Sequence, residues 1–203
     1  MEPPPPSLRS APNYRTPWGT LRRLFVAGVV IAGLTLAVLR LTGLLRPFYV
    51  PTGAMTPAVS AKDSVLMEGV TYLFRRPQRG DIVVFKTDDV EDPGRMPKNE
   101  IFNKRLAGLP GERLRIAGGK LFVNGVPVSF ANAAGEISLV NTGSKYLATE
   151  QATVTIPEGQ YFVLGDNSPN SFDSRYFGFV PAKSIIGRIV YCYSPPGRIG
   201  WVH

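Results

Sequence analysis

The chain has 203 residues, 44% of them hydrophobic and 19% charged, so it can bury a core of its own and wholesale disorder is excluded. The formal net charge is +8, but the first fifty residues hold six arginines against the single acidic residue Glu2. From Pro51 onward 17 basic residues stand among 14 acidic ones and are scattered rather than striped, which argues against a nucleic-acid partner.

The N-terminal region combines a proline-rich stretch with a long apolar run. Residues 1–21 begin MEPPPPSLRSAPNYRTP, and proline is unsuited to helix interiors and central strands, so we expect a tail. The apolar run Leu24–Leu45 has 22 residues and is interrupted only by Arg40. At roughly 1.5 Å per residue it crosses the ~30 Å hydrocarbon layer of a bilayer. We predict one transmembrane helix over residues 22–46.

The charged residues around this helix indicate how it sits in the membrane. Arg40, Arg46 and Pro47 are poor flanks for signal-peptide cleavage, which favours an uncleaved anchor over a removed leader. Four arginines precede the helix, and the positive-inside rule therefore places the N-terminus in the cytoplasm. We expect a single-pass protein of the cytoplasmic membrane, in contact with lipid, whose remaining domain lies on the outer or periplasmic side.

The rest of the chain predicts a mainly β fold, an antiparallel sheet or barrel-like domain. Short β-branched and aromatic runs alternate with turn residues, and no helical periodicity is sustained. We divide this part into a core, 47–112 and 152–203, and an inserted β-hairpin subdomain, 113–151, in which Asn124-Gly125 marks a hairpin turn. The predicted strands are SVLMEG, DIVVFKT, EIFNKRLAG, RLRIAG, KLFVNG, VPVSF, QYFVLGD and SIIGRIVYCYSP.

Several kinds of chemistry are excluded by residues that the sequence lacks. His203 is the only histidine and Cys192 the only cysteine, which excludes a Ser-His-Asp triad, a Cys-His pair and a histidine-based zinc site. No glycine-rich phosphate loop joins a strand to a helix. We therefore expect no metal and no cofactor, and any acid-base chemistry has to use lysine, carboxylate or tyrosine.

Four motifs occur in a fixed order behind the predicted anchor: VPTGAMTP (50–57), RGDIVVFK (79–86), KRLAGLPGE (104–112) and GDNSPNSFDSR (165–175). In this order they resemble the four conserved boxes of the type I signal peptidases, membrane-anchored serine proteases with a serine-lysine dyad. The resemblance extends from the anchor to about Tyr193. It implies endoproteolytic removal of signal peptides from exported preproteins at the outer face of the cytoplasmic membrane.

The resemblance also implies roles for individual residues. The family's nucleophilic serine falls on Ala54, and its general base falls on Lys104. A lysine accepts a proton only when it is neutral, so burial must lower its pKa from about 10.4 towards about 7 or 8. Thr52 matches the residue whose hydroxyl forms the oxyanion hole together with the main-chain N–H of Ala54. Ser171 matches the serine that orients the lysine.

Two further groups of residues complete the predicted site. Structural support is expected from two arginines and two aspartates that the family motifs pair: Arg105, Asp166, Asp173 and Arg175. Substrate contact is expected from the neighbours of the nucleophile position: Pro51 and Met55.

Alanine at the nucleophile position conflicts with the otherwise complete set. A methyl group cannot attack a carbonyl, and loss of a nucleophile typically removes about a million-fold in kcat, so the chain as written is predicted to be nearly inert. Thr52, two residues away, is poorly placed to replace it. The first box also departs from the family at Thr52 and Ala58, and Ser168 replaces an arginine in the last box.

Three interpretations of this departure stay open on the sequence. In the first, an active enzyme has had its serine replaced by Ala54. In the second, the chain is a naturally inactive signal-peptidase-like subunit, a binding or structural component of a complex with other membrane subunits. In the third, it is a membrane-tethered β-domain that only binds peptides or partner subunits.

Overall fold

The computed structural model describes residues 18–91, 96–132, 135–141 and 144–202. Residues 1–17 of the predicted tail and the single histidine, His203, lie outside these ranges. The chain divides into two compact units, Met1–Leu41 and Thr42–His203.

The first unit contains one long helix, α1, Trp18–Leu41. By length and composition it is able to cross a membrane, and none of its residues is buried within the chain. It ends before residue 46, the predicted limit of the transmembrane segment. Gly43 takes a positive φ of 73°, a conformation that stops a helix, and the chain continues as a strand from Leu45.

The described part of the second unit contains fourteen strands, four short 3-10 helices and a one-turn α-helix, α2, Ser174–Phe177. In chain order the strands are β1 Leu45–Tyr49, β2 Ser64–Glu68, β3 Ile82–Lys86, β4 Ile101–Gly108, β5 Arg113–Ala117, β6 Lys120–Val123, β7 Val126–Val128, β8 Ala131–Asn132, β9 Gly135–Glu136, β10 Val154–Thr155, β11 Gln160–Leu164, β12 Val180–Pro181, β13 Ile185–Ser194 and β14 Gly200–Trp201. The predicted fold class, mainly β after an N-terminal apolar helix, is confirmed.

The main sheet is curled and antiparallel, with the order β1-β2-β13-β3-β4-β11-β12 and with β14 paired to β13. Its central strand β3 is buried on both faces, which explains the continuous apolar run IVVF. Ile82 and Val84 pack into a core cluster with residues of β2 and β13. Val83 and Phe85 pack on the opposite face with residues of β4 and β11. Strand β3 also pairs with β4, the strand that carries Lys104, from Ile101 to Arg105.

A second sheet has the order β10-β5-β6-β7, and β8 and β9 form a separate pair. Asn124 and Gly125 link β6 to β7 with φ angles of 50° and 85°, the conformation that the Asn-Gly hairpin signal predicts. A third apolar cluster joins this sheet to the main one, with Leu114 and Ile116 of β5 packed against Phe162 and Leu164 of β11. The domain boundaries given above stay predictions.

Candidate active site

A cleft of about 280 Å³ lies between the loop that follows β1 and the beginning of β4. Thr52, Ala54 and Lys104, which come from two separate sequence motifs, all line this cleft. The remaining lining residues are Pro51, Glu100, Ile101, Phe102, Asn103, Asn170 and Phe172. The fold thus brings the predicted nucleophile position, general base and oxyanion residue to one cavity.

Lys104 is a buried lysine on a central part of the sheet. It pairs with Val83 of β3 and is 5% exposed. Its Nζ donates a hydrogen bond of 3.0 Å to the carbonyl oxygen of Asn103 and lies 5.3 Å from the centre of the Phe102 ring. Burial lowers the pKa of Lys104 to about 8, although the negative charge of Asp173 acts in the opposite direction. The amine can therefore lose its proton at mildly alkaline pH.

The loop that carries Ala54 is held by Asn167. The main-chain N–H of Asn167 donates to the carbonyl oxygen of Ala54 over 3.1 Å, and its side-chain amide donates to the carbonyl oxygen of Gly53 over 3.0 Å. The N–H of Thr56 also donates to Gly53, which closes a turn around position 54. We did not predict Asn167, although it follows Asp166 directly in the last motif.

Ser171 is also buried near the Ala54 loop. It is 5% exposed, and within the described residues its hydroxyl has no hydrogen-bond partner. Gly165 lies against both elements, because a Cβ built on it would be 2.1 Å from the Ser171 Oγ and 2.6 Å from the Ala54 carbonyl oxygen. Only a glycine allows this close approach, a requirement that the sequence analysis missed.

Two buried ion pairs support this region. Arg105 donates through Nε and Nη2 to the two carboxylate oxygens of Asp166, over 2.8 and 2.7 Å. Arg175 binds Asp173 in the same bidentate way, with both distances 2.8 Å. The hydroxyl of Ser168, where the family motif has an arginine, accepts a third hydrogen bond from Arg175 over 2.7 Å. These bonds fix the chain segment on either side of Ser171.

The two predicted substrate-binding residues differ in their positions. Pro51 lines the cleft. Met55 is 1% exposed and packs into the core cluster that also contains Val59 and Met67, so it does not line the cleft wall. A substrate-binding role for either residue stays a prediction.

The structure is thus an apolar helix followed by a β domain in which a buried lysine borders a narrow cleft. The profile of the signal peptidase family, peptidase S26, matches residues 21–194, and the chain belongs to this family. Members of the family act on the signal peptides of preproteins and are associated with membranes.

Two sequence relatives agree with this assignment. Signal peptidase I of Leptolyngbya laminosa is 35% identical over 152 residues, which cover 75% of this chain and 70% of the relative. The probable signal peptidase I-2 of a Synechocystis strain is 33% identical over 188 residues, 90% of this chain and 76% of the relative. The chain is also similar to a signal peptidase I from Enterococcus faecalis whose crystal structure is known. The two sequences are 34% identical, and the superposition covers 56% of this chain and 97% of the other with a TM-score of 0.41.

Proposed function

We propose that the cleft binds the signal peptides of exported preproteins, and that a serine at position 54 makes the chain an endopeptidase that removes them. The observation that carries this proposal is the buried amine of Lys104 on the same cleft as Ala54 and Thr52. A buried lysine is costly for folding, and among the described residues Lys104 takes part in no ion pair that offsets the cost. Its burial is better explained by chemistry than by stability.

The proposed reaction with a serine at position 54 uses a neutral Lys104. The serine Oγ bonds to the carbonyl carbon of the scissile peptide while Lys104 Nζ takes the hydroxyl proton. The Thr52 hydroxyl and the main-chain N–H of residue 54 donate to the oxyanion. The lysine then protonates the departing amine, and a water activated by the same lysine hydrolyses the acyl-enzyme. Ser171 orients the Lys104 amine during both acylation and hydrolysis.

The chain with Ala54 is proposed to hold the peptide without cleaving it. This chain keeps the main-chain N–H of residue 54, the Thr52 hydroxyl and the Lys104 amine. It lacks only the serine Oγ that would attack the peptide. Removal of a nucleophile from such a site lowers kcat by about a million-fold. Any residual hydrolysis would come from binding and oxyanion stabilisation alone.

The peptide is proposed to lie as an added strand along the first half of β4. Strand β11 pairs with β4 only at Arg105, Leu106 and Gly108, whereas β3 pairs with β4 from Ile101 onward. The main chain of residues 101–103 therefore has one edge without a strand partner in the described part of the chain. Extended peptides bind such edges through main-chain hydrogen bonds, and side-chain pockets then give specificity.

The location of the chain is part of this proposal. Helix α1 serves as a single-pass anchor in the cytoplasmic membrane, because it carries no charge from Leu24 to Leu39 and its arginines flank this run. The excess of arginine before the helix supports an N-terminus in the cytoplasm and a β domain on the outer or periplasmic side.

The test compares four forms of the full chain in detergent, each incubated with a preprotein. We expect cleavage by Ala54→Ser, and none by the parent or by the double variant Ala54→Ser with Lys104→Met. Lys183→Met in the Ala54→Ser background is the matched control, because Lys183 is exposed and its ion pair with Asp89 lies at the surface. It should cleave as Ala54→Ser does.

The outcome that contradicts the protease proposal is an Ala54→Ser chain that folds and does not cleave. If the parent chain then purifies from native membranes in a stoichiometric complex, the inactive-subunit interpretation replaces the protease interpretation. If it purifies alone and binds peptide, it is a peptide-binding domain.

A further inference from the structure

A second, smaller cavity of about 40 Å³ adjoins the cleft. Pro51, Ile101, Phe102 and Asn103 line both spaces. Because the two spaces share these four residues, the cavity is a candidate pocket for one side chain of a peptide bound in the cleft. The other lining residues are Phe48, Tyr49, Val50, Val65, Val84 and Ile189.

Asn103 is the only amide in an otherwise apolar and aromatic lining. Its Nδ2 exposes less than 1 Å² and, within the residues that the structure describes, donates to no acceptor. On β4 it pairs with Val84, whose buried side chain belongs to the apolar cluster beneath the cavity. A buried amide nitrogen without a hydrogen-bond partner is destabilising, so folding alone gives no reason for an asparagine at this position.

We propose that Asn103 determines substrate specificity by donating a hydrogen bond from Nδ2 to a hydroxyl group of the bound peptide. This inference rests on the proposed function and names its substrate class. Signal peptides carry small residues one and three positions before the cut, and the inferred substrates have serine or threonine at one of these two positions. A cavity of about 40 Å³ exceeds the space that one water needs and admits a few heavy atoms, which suits a hydroxymethyl group and excludes large side chains.

The polar group changes which small residue the pocket prefers. With alanine in the cavity, Nδ2 stays unpaired in the complex as it is in the free chain. With serine, the hydroxyl accepts the hydrogen bond and the cost of the buried amide is recovered on binding. A buried site that offers a hydrogen bond discriminates against ligands that cannot accept it.

The experiment measures the binding of labelled peptides to the full parent chain in detergent micelles, since Ala54 prevents their cleavage. The peptides share one sequence and carry alanine or serine at the position one or three residues before the cut. At one of these two positions we expect serine to lower Kd about fivefold relative to alanine, the effect of one net hydrogen bond. In Asn103→Leu, which keeps the shape and loses the donor, alanine should bind at least as well as serine.

The thermal unfolding of Asn103→Leu supplies a second readout that a structural role would not give. Removal of an unpaired buried amide should leave Tm unchanged or raise it. Asn141→Leu is the matched control, because the Asn141 amide donates to the carbonyl oxygens of Ile116 and Leu147 at 3.0 and 2.9 Å. That variant should lower Tm.

The outcomes separate this inference from the function on which it rests. If alanine peptides bind and serine gives no gain at either position, the cavity holds water and the specificity role of Asn103 is overturned while the protease proposal stands. A preference for serine peptides that persists in Asn103→Leu also overturns the specificity role of Asn103. If no signal peptide binds the parent chain, both proposals fall together.

Discussion

The main-chain N–H of Asn167 donates a hydrogen bond of 3.1 Å to the carbonyl oxygen of Ala54. With the bond from its side chain to Gly53, Asn167 connects two motifs that lie 114 residues apart in the sequence. The position of the loop around Ala54 therefore depends on hydrogen bonds from the turn after β11 as well as on bonds within the loop. Any group on that loop that contacts substrate depends on this connection.

The first prediction concerns Asn167→Ala in the Ala54→Ser background. Loss of the amide that holds Gly53 lets the N–H of residue 54 move away from the oxyanion, and small misplacements of this kind are expensive for catalysis. We expect kcat to fall roughly ten- to hundredfold with little change in KM, measured by steady-state cleavage of a preprotein.

Asn141→Ala is the control for this experiment, since it also removes hydrogen bonds from a side-chain amide to main-chain carbonyl oxygens, those of Ile116 and Leu147. It should lower the stability of the chain and leave kcat unchanged. An equal loss of kcat in both variants would mean that Asn167 acts only through general stability.

The second prediction is that Gly165→Ala disrupts the site. Its Cβ would approach the Ser171 Oγ to 2.1 Å and the Ala54 carbonyl oxygen to 2.6 Å, so one of these groups has to move. We expect a loss of about 1–3 kcal/mol in the free energy of unfolding, measured by denaturant titration, together with weaker peptide binding. Gly197→Ala, where a Cβ would meet no atom within 4 Å, should change neither quantity.

The sequence predicts the fold largely because the strands are strong local signals. IVVFK and QYFVL have the β-branched and aromatic composition of buried strands, and Asn124-Gly125 specifies its own turn. Strand β1 was not predicted, because LRPFY prolongs the apolar run of the anchor and contains a proline. Pro47 is tolerated there because β1 is the edge strand of the sheet.

The site is predictable only where a residue carries its own chemistry. Lys104 and Ala54 are predicted because they fall on the lysine and serine positions of motifs that resemble those of the signal peptidases, and the chemistry of that dyad gives each position a role. Gly165 and Asn103 were not predicted, because what distinguishes them depends on residues distant in sequence. A Cβ at Gly165 would meet Ser171 and Ala54, and the Asn103 Nδ2 is buried with no hydrogen-bond partner among the described residues. No local pattern contains that information, since it depends on how the sheet curls.

The third prediction follows from the pKa of Lys104, about 8 in the folded chain against an ordinary value of 10.5. Because the folded value is the lower one, the unfolded chain binds more protons between pH 8 and 10.5, and stability rises with pH across this window. Below pH 8 the Lys104 amine is protonated in both the folded and the unfolded chain, and the burial of its charge then lowers the free energy of unfolding by about 3 kcal/mol.

Lys104→Met removes this cost and provides the measurement. At pH 7 the variant should be more stable than the parent by about 3 kcal/mol, and the difference should shrink as the pH rises through 8 to 10.5. Denaturant titrations of the parent and of Lys104→Met across this pH range measure the difference in their free energies of unfolding. A pH-independent difference would show that the amine is not buried as described. In the Ala54→Ser background, cleavage should rise with pH and level off above about pH 8.

The fourth prediction concerns the Arg105–Asp166 pair, whose side chains are 5% and 1% exposed. Asp166→Leu leaves the guanidinium buried without its carboxylate and should cost about 3–5 kcal/mol of unfolding free energy. The double variant Arg105→Met with Asp166→Leu should lose less than the sum of the single variants, in a double-mutant cycle measured by denaturant titration. Lys183→Ala, which breaks an exposed pair, should leave the unfolding midpoint unchanged.

The fifth prediction separates function from stability at two serines of the same motif. The hydroxyl of Ser171 is buried without a partner in the described residues, so Ser171→Ala should leave Tm unchanged or raise it. The hydroxyl of Ser174 accepts the N–H of Val163 at 2.9 Å, so Ser174→Ala orphans a buried donor and should cost about 1–3 kcal/mol.

The effects on activity should be the reverse of the effects on stability: large for Ser171→Ala and small for Ser174→Ala. In the Ala54→Ser background, Ser171→Ala should lower kcat and shift the pH at which cleavage levels off if Ser171 has its proposed role of orienting the Lys104 amine for proton transfer. Ser174→Ala should keep both kcat and the pH profile of the chain that remains folded. A Ser171→Ala variant that loses stability and retains its kcat would assign this hydroxyl to packing alone, since a group that only fills space has no influence on the ionisation of its neighbour.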